Sequence, residues 1–287
     1  MLRVEPTDIE EAKLSRCPYK REEKVMSTRE EIVSDFYGKT DEQTRLERSR
    51  RGQMEYFTTM EYIHRYAGKG AKVLEVGAGT GRYSVALAKE GMDVTAVELV
   101  GSNLDILRGN AKGLDNLRAY QGDATHLERF EDNTFDMTLV LGPMYHLYEA
   151  EDVHKAIDEA IRVTKPGGVM IFAFISVYAI MFANYMTGNW AFGEEENFTK
   201  DYGMKHFKEQ LFTGYDVVEF EELFKDKATE WITTAGTDAI LEPIQEKEDF
   251  SFTDEDFEAF KKWYLAFAEK RELLGYTNHL IYLCRKK

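Results

Sequence analysis

The sequence is poor in cysteine, in positive charge and in long apolar runs, and each shortage closes off a class of protein. Its two cysteines, Cys17 and Cys284, are too few for a disulfide framework or a four-thiolate zinc site. That scarcity fits a reducing compartment, and a cytoplasmic location is expected. The N-terminal stretch MLRVEPTDIEEAKL has no cationic start followed by an apolar run, so it does not read as a secretory signal. Lysine and arginine number 37 against 52 acidic residues, a net charge of −15. A nucleic-acid backbone or an anionic membrane needs a positive face, so neither is expected as the main partner. One uncharged run, Val169 to Met186 (VMIFAFISVYAIMFANYM), approaches the length of a membrane span. It follows a KPGG turn, and β-branched and aromatic residues crowd its first half, which predicts a buried strand running into a buried helix. Internal repeats and low-complexity tracts are also missing.

What remains is an ordinary globular composition. The chain has 287 residues, 43% hydrophobic and 31% charged, enough to bury a full core without staples. Residues 1–26 are polar and lack a period. Ser27 and Thr28 with Glu30 and Glu31 form a capping-box pattern for a helix reaching about Tyr37. Thr40 with Gln43 offers a second cap, and the longer helix that follows stops at Gly68 and Gly70. Apolar strands then alternate with helices. Strands are predicted at Lys72–Val76, Asp93–Leu99, Leu117–Asp123, Phe135–Gly142 and Val169–Ser176. Such near-continuous apolar strands imply a parallel sheet covered on both faces. Further on, residues 180–212 suggest an inserted helical cap. Helices are expected over Asp216–Asp226 and from Thr253 to near Gly275, with strands at Thr229–Thr234 and His279–Lys286.

Chemistry concentrates at the carboxyl ends of the strands. The strongest signal is VLEVGAGTGRYS, residues 73–84, where Gly77, Gly79 and Gly81 lie between a strand and a helix. Glycine there lets backbone approach a ligand closely and supplies positive φ. A dinucleotide fingerprint would need a glycine at 82, where Arg82 stands, and it has no use for Glu75. Glu98, at the end of the second strand, can accept both hydroxyls of a ribose and repels a 2′-phosphate. Asp123 in GDAT ends the third strand over the same crevice and can accept the exocyclic amine of adenine. LGPMYHL, residues 141–147, stops the fourth strand at the rim and projects Tyr145 and His146 over the ligand.

Taken in order, these residues resemble the class I S-adenosylmethionine-dependent methyltransferases. The resemblance rests on Glu75 to Gly81 (E-x-G-x-G-x-G), Glu98, Asp123, the end of the fourth strand and the KPGG turn. The LGPMYHL segment, RLERSRRGQMEYFTTMEY and the terminal NHLIYLCRK resemble a bacterial subset that acts on small molecules. The resemblance implies an α/β fold: a Rossmann-like, seven-stranded, mostly parallel sheet with helices on both faces. The last strand would run antiparallel beside the fifth, with Cys284 in the core. It divides the chain into an arm and helical lid (1–67), a cofactor-binding core (68–176), a cap insertion (177–228) and a segment completing the sheet (229–287).

The resemblance also implies roles. Glu75, Gly77, Ala78, Gly79 and Gly81 would form the loop beside the methionine part of S-adenosylmethionine. Glu98 would hold the ribose and Leu99 would flank the adenine. Asp123 and Ala124 would sit at its amine, and Leu141 and Gly142 would line the floor. Tyr37 and Arg45, from the N-terminal helices, would reach the cofactor carboxylate. The implied reaction is an in-line methyl transfer to a small-molecule acceptor, with S-adenosylhomocysteine as product. His146 is the candidate base, or else it orients its loop through a hydrogen bond. Tyr145 is a candidate acceptor contact. His279 reads as structural. The histidines show no paired metal-ligand spacing, and no metal site is expected. The competing readings are a protein or RNA methyltransferase, a nicotinamide-dependent oxidoreductase, and a protein that binds the cofactor without turnover.

Overall fold

The computed structural model describes residues 28–187, 199–200, 205–206, 211–245 and 249–287, with backbone alone for 183–187. Seven strands form one sheet: β1 (Lys72–Val76), β2 (Asp93–Glu98), β3 (Leu117–Gln121), β4 (Phe135–Val140), β5 (Thr164–Ile175), β6 (Thr229–Gly236) and β7 (His279–Lys286). Their order across the sheet is β3-β2-β1-β4-β5-β7-β6. β7 runs antiparallel to both β5 and β6, and the other six strands share one direction. This matches the expected fold, including the inner place of the terminal strand. Cys284 is fully buried, as expected.

Neighbouring residues on each strand face opposite ways, so an unbroken apolar strand feeds two cores. Val73, Val94, Met137, Ile171 and Leu283 belong to one core, and Leu74, Val97, Val140, Phe172 and Tyr282 to the other. The first core is covered by α2 (Arg50–Tyr66), α3 (Arg82–Lys89), α4 (Gly101–Asn110) and α9 (Asp254–Leu265), and the second by α5 (Ala150–Val163) and α7 (Val217–Glu222). Ahead of them stands α1 (Arg29–Tyr37), capped by Thr28 and Glu31 as the sequence pattern predicts. The helices α6 (Val177–Thr187), α8 (Leu241–Gln245) and α10 (Arg271–Leu274) lie in the connections between β5, β6 and β7.

Several expectations are corrected. The second helix does not begin at the Thr40–Gln43 cap. It begins at Arg50, where the Ser49 hydroxyl accepts from the Gly52 N–H at 3.1 Å. Arg45 therefore lies in a turn, not a helix. The cause is a close backbone approach: a Cβ on Gly52 would stand 2.4 Å from the Arg45 carbonyl oxygen. The KPGG segment is a bulge inside β5 rather than a turn ahead of it, since Phe135 and Met137 of β4 pair with Thr164 and Val169. α9 ends at Leu265, well short of Gly275, and the chain turns so that Ala268 can accept from the Gly236 N–H at 2.9 Å. α7 stops at Glu222 rather than continuing to Asp226. The apolar run enters β5 and then α6, but Tyr178 and Phe182 on that helix are exposed, so the helix is not wholly buried. Among the described residues no helix is long and apolar enough to cross a membrane. Trp190, Phe192 and most of the expected cap lie outside the described residues.

The second core is pinned by aromatic stacking. Phe220 of α7 is fully buried and lies flat on Phe174 of β5, with ring centroids 4.0 Å apart. Phe220→Ala should destabilise the fold by about 3–5 kcal/mol, through lost transfer energy plus the cavity left behind. Urea unfolding should show a lower midpoint with an unchanged slope.

Candidate S-adenosylmethionine site

A cavity of about 710 Å³ opens over the carboxyl ends of β1, β2 and β4, within the 300–1,000 Å³ usual for ligand sites. Strand order reverses between β1 and β4, the place where doubly wound sheets leave a crevice. The glycine loop after β1 forms one wall of it. Gly77 and Ala78 donate their N–H groups to the Val97 carbonyl at 2.8 and 3.0 Å, which binds the loop to β2. Gly77 has φ 75°, and a Cβ there would stand 2.6 Å from Pro143 Cδ. Only glycine lets this loop pass under the turn that follows β4.

Glu98 is buried at the end of β2, where its carboxylate accepts from Gly79 N–H at 2.7 Å and Val100 N–H at 2.9 Å. Burial raises its pKa despite those two donors. The Asn103 side chain is a third donor to it, and one of the four lone-pair directions of the two oxygens remains for a ligand. Leu99, Val100 and Ala124 line the same end. Asp123 accepts from the Thr125 N–H and hydroxyl at 2.7 and 2.6 Å and from the Arg29 guanidinium. Burial alone would raise its pKa, but Thr125 and Arg29 hold it low. Glu75 sits beneath the loop, 1% exposed and bonded to the Ser84 hydroxyl, and burial pushes its pKa to about 8.

At the other end, the short helical turn Pro143–His146 carries Tyr145 and His146. The Tyr145 hydroxyl donates to the Leu141 carbonyl at 3.0 Å. His146 Nδ1 lies 2.7 Å from the Leu211 carbonyl oxygen, so it must carry the proton. Nε2 is then the lone-pair nitrogen, and it receives the Tyr37 hydroxyl at 2.9 Å. Burial lowers the pKa of His146 to about 4. Both ring nitrogens are engaged, so of the two roles expected for His146 the geometry favours the orienting one. Tyr37 closes the carboxyl-terminal end of α1 over the cavity while Arg29 anchors its other end on Asp123. Arg45 forms a two-pronged pair with Glu55, at 2.8 and 2.9 Å, and lies 3.3 Å from Glu42. Each terminal guanidinium nitrogen retains a second N–H.

The predicted residues therefore gather around one cavity, with one exception. Gly81 does not line it. A Cβ at Gly81 would stand 2.7 Å from Leu107 Cγ, so this glycine serves the packing of the loop against α4. Sequence reading missed Arg29, whose partner lies 94 residues away. It also missed Asp238, which is fully buried and pairs with His279 across 41 residues. No local pattern announces either pair.

Residues 74–172 match the methyltransferase-domain family model. The demethylmenaquinone methyltransferase of Paenarthrobacter aurescens (strain TC1) is 36% identical over 107 residues, which is 37% of this chain and 40% of that protein. The chain thus spans about two fifths of the length of the curated relatives it matches. Among solved structures, an S-adenosylmethionine-dependent methyltransferase of Thermotoga maritima superposes with a TM-score of 0.56 at 17% identity, over 91% of this chain and all of that one. The magnesium protoporphyrin IX methyltransferase of Synechocystis PCC 6803, with S-adenosylmethionine bound, gives 0.55 at 12% identity, over 92% of this chain and all of that one. At such identities the superpositions establish the fold, a Rossmann-like methyltransferase sheet. Over residues 74–172 the matched domain and the curated relatives make this chain similar to the S-adenosylmethionine-dependent methyltransferases.

The raised pKa of Glu75 carries a sign. A carboxyl whose folded-state pKa lies above its unfolded value contributes stability fully below about pH 4.5, and that contribution is lost as pH rises through 8. Glu75→Gln removes the titration while keeping the shape. Between pH 5.5 and 8.5, wild type should lose more unfolding free energy than the variant, as read by urea denaturation at both pH values.

Proposed function

We propose that this protein binds S-adenosylmethionine over the β1 loop and moves its methyl group to a small-molecule acceptor. When bound, S-adenosylmethionine supplies an electrophilic methyl carbon on a sulfonium and leaves as S-adenosylhomocysteine. The observation that carries the reading is the Glu98 carboxylate fixed by Gly79 N–H at the lip of the glycine loop. An acid held there meets a ribose diol at the distance the loop sets, and the loop leaves no room for a side chain at Gly77. The remaining residues fit the same ligand. Gly77, Ala78 and Gly79 run beside its methionine part, with Glu75 beneath them. Leu99 and Ala124 flank the adenine, with Asp123 toward its amine. Leu141 and Gly142 form the floor. The spare N–H groups of Arg45 are the donors for its carboxylate, whereas the Tyr37 hydroxyl, expected to reach the same carboxylate, gives its one proton to His146 Nε2.

In-line displacement asks a protein mainly to align two reactants and exclude water. Of the expected arm and lid (1–67), residues 1–27 lie outside the described residues, and α1, tied down at Asp123 and His146, is the element that excludes water. Tyr145, with its hydroxyl held by Leu141, presents its ring to the acceptor, and His146 keeps Tyr37 in place. The small acceptor is supported by the size of the cavity, about 710 Å³, and by the charge of −15, which disfavours RNA.

A thermal-shift series tests the cofactor. S-adenosylmethionine and S-adenosylhomocysteine should both raise the melting temperature, while NAD and NADP should leave it unchanged. Stabilisation by NAD alone overturns the reading. Glu98→Ala should weaken S-adenosylhomocysteine binding about 10- to 100-fold, the value of one hydrogen bond to a charged group. Calorimetric titration of the variant measures it, and an unchanged dissociation constant removes Glu98 from the ribose. Incubation with methyl-labelled S-adenosylmethionine and a bacterial metabolite extract should place label on a small molecule, read by mass analysis.

A further inference from the structure

His279 is the first residue of β7, and it pairs with Ile175, the last of β5. Because β7 runs antiparallel, its first residue stands on the same edge of the sheet as the glycine loop. His279 lines the cavity, together with Ile175, Ile180, Phe212 and Asn278. Ribose and adenine are assigned to the β2 and β3 side. The β5 and β7 side, three strand spacings or about 14 Å beyond β1, is where an acceptor must lie.

The ring is held for one task. His279 Nδ1 lies 2.8 Å from Asp238 Oδ2, and a carboxylate oxygen can only accept, so Nδ1 carries the proton. Asp238 is fully buried, and its other oxygen accepts from the Thr277 hydroxyl at 2.7 Å and from the N–H groups of Asn278 and His279 at 3.0 and 3.1 Å. The turn that buries it forces Ala239 into the left-handed region at φ 54°, a strain of the kind that collects at functional sites. Nε2 is left with its lone pair, and among the described residues no group is hydrogen-bonded to it. Glu55 of α2 stands 3.8 Å from Nδ1, with Arg45 paired behind it. Glu242 of α8, paired with Arg51, accepts from Asn278 beside the ring.

We infer that His279, oriented by Asp238, takes the proton from the methyl acceptor, and that the acceptor is a small molecule with an apolar body and a protonated heteroatom as nucleophile. The inference rests on the methyl-transfer reading above. The acceptor–methyl bond forms as the methyl–sulfur bond breaks with its electron pair left on sulfur. The acceptor's proton passes to Nε2, and the imidazolium so formed faces the carboxylates of Asp238 and Glu55. His146, with both nitrogens engaged and its pKa at about 4, has no lone pair to offer.

Two measurements test this. The first needs no acceptor. Diethyl pyrocarbonate at pH 7, followed by peptide mass mapping of the full chain, should modify His279 and spare His146. An unmodified His279 overturns the proposal. The second uses the small molecule labelled in the extract experiment. His279→Gln should keep S-adenosylhomocysteine affinity within twofold and lose about 10²- to 10⁴-fold in kcat, the span of general-base catalysis. His279→Ala should recover turnover with added imidazole, which a merely structural histidine would not do. Asp238→Asn should lower kcat with little change in cofactor affinity. Turnover at the wild-type rate and with the wild-type pH profile in His279→Gln overturns the inference alone. Failure of wild type to bind S-adenosylhomocysteine overturns the reading beneath it.

Discussion

The Arg45–Glu55 pair sets the shape of everything above the sheet's carboxyl edge. Glu55 is 8% exposed on α2, and burial by itself would raise its pKa. The Arg45 guanidinium, with a smaller contribution from His279, brings it down to about 2. A carboxylate this deep is tolerable only with its cation seated on both oxygens. Seating that cation requires the 41–49 segment to fold back against the start of α2. The fold-back is possible because residue 52 is glycine. One ion pair thus decides where α2 begins, where the segment leading into it crosses the cavity, and which face of α2 meets β7.

The sheet was largely legible because its signals are local. A strand, a glycine loop and a capped helix each occupy fewer than a dozen consecutive residues, and apolar periodicity names their partners. Glu98 and Asp123 were legible for the same reason, since a strand end next to a turn fixes its own position. Three things escaped. The start of α2 was misplaced because Thr40 and Gln43 satisfy the capping-box pattern, whereas Ser49, with Gly52 three residues on, does not, and the long-range seat of Arg45 selects Ser49. The end of α9 was overrun because the apolar face continues to Phe267, whereas the chain leaves the helix to bond Gly236. Gly81 was grouped with its neighbours by spacing, although the surface it meets belongs to Leu107 on a different helix.

The two histidines show how little residue type says about role. His146 lies in the more suggestive motif, yet the structure spends both of its nitrogens, one on a backbone carbonyl and one on Tyr37. Burial without a nearby carboxylate then makes it a weak base. His279 opens an ordinary-looking strand, yet it has a buried acid behind it and a cavity in front. The difference lies in what the chain brings from elsewhere: Arg29, 117 residues before His146, lowers its pKa further, while Asp238 and Glu55 face His279. Partners separated by tens of residues leave no trace in a local window.

The distribution of charge along the cavity agrees with the direction of the proposed chemistry. Methyl transfer removes positive charge from sulfur near β1 and β4 and creates it, as a proton, on the acceptor side. Glu98 and Asp123 at the near end are held in place by backbone N–H groups, Thr125 and Arg29. Asp238 and Glu55 at the far end are fixed before any reaction, one by three donors and the other by Arg45. Preorganised groups of this kind stabilise developing charge without having to reorganise when it appears. An acidic protein of net charge −15 has many carboxylates to place, and these two stand where the reaction would deliver a cation.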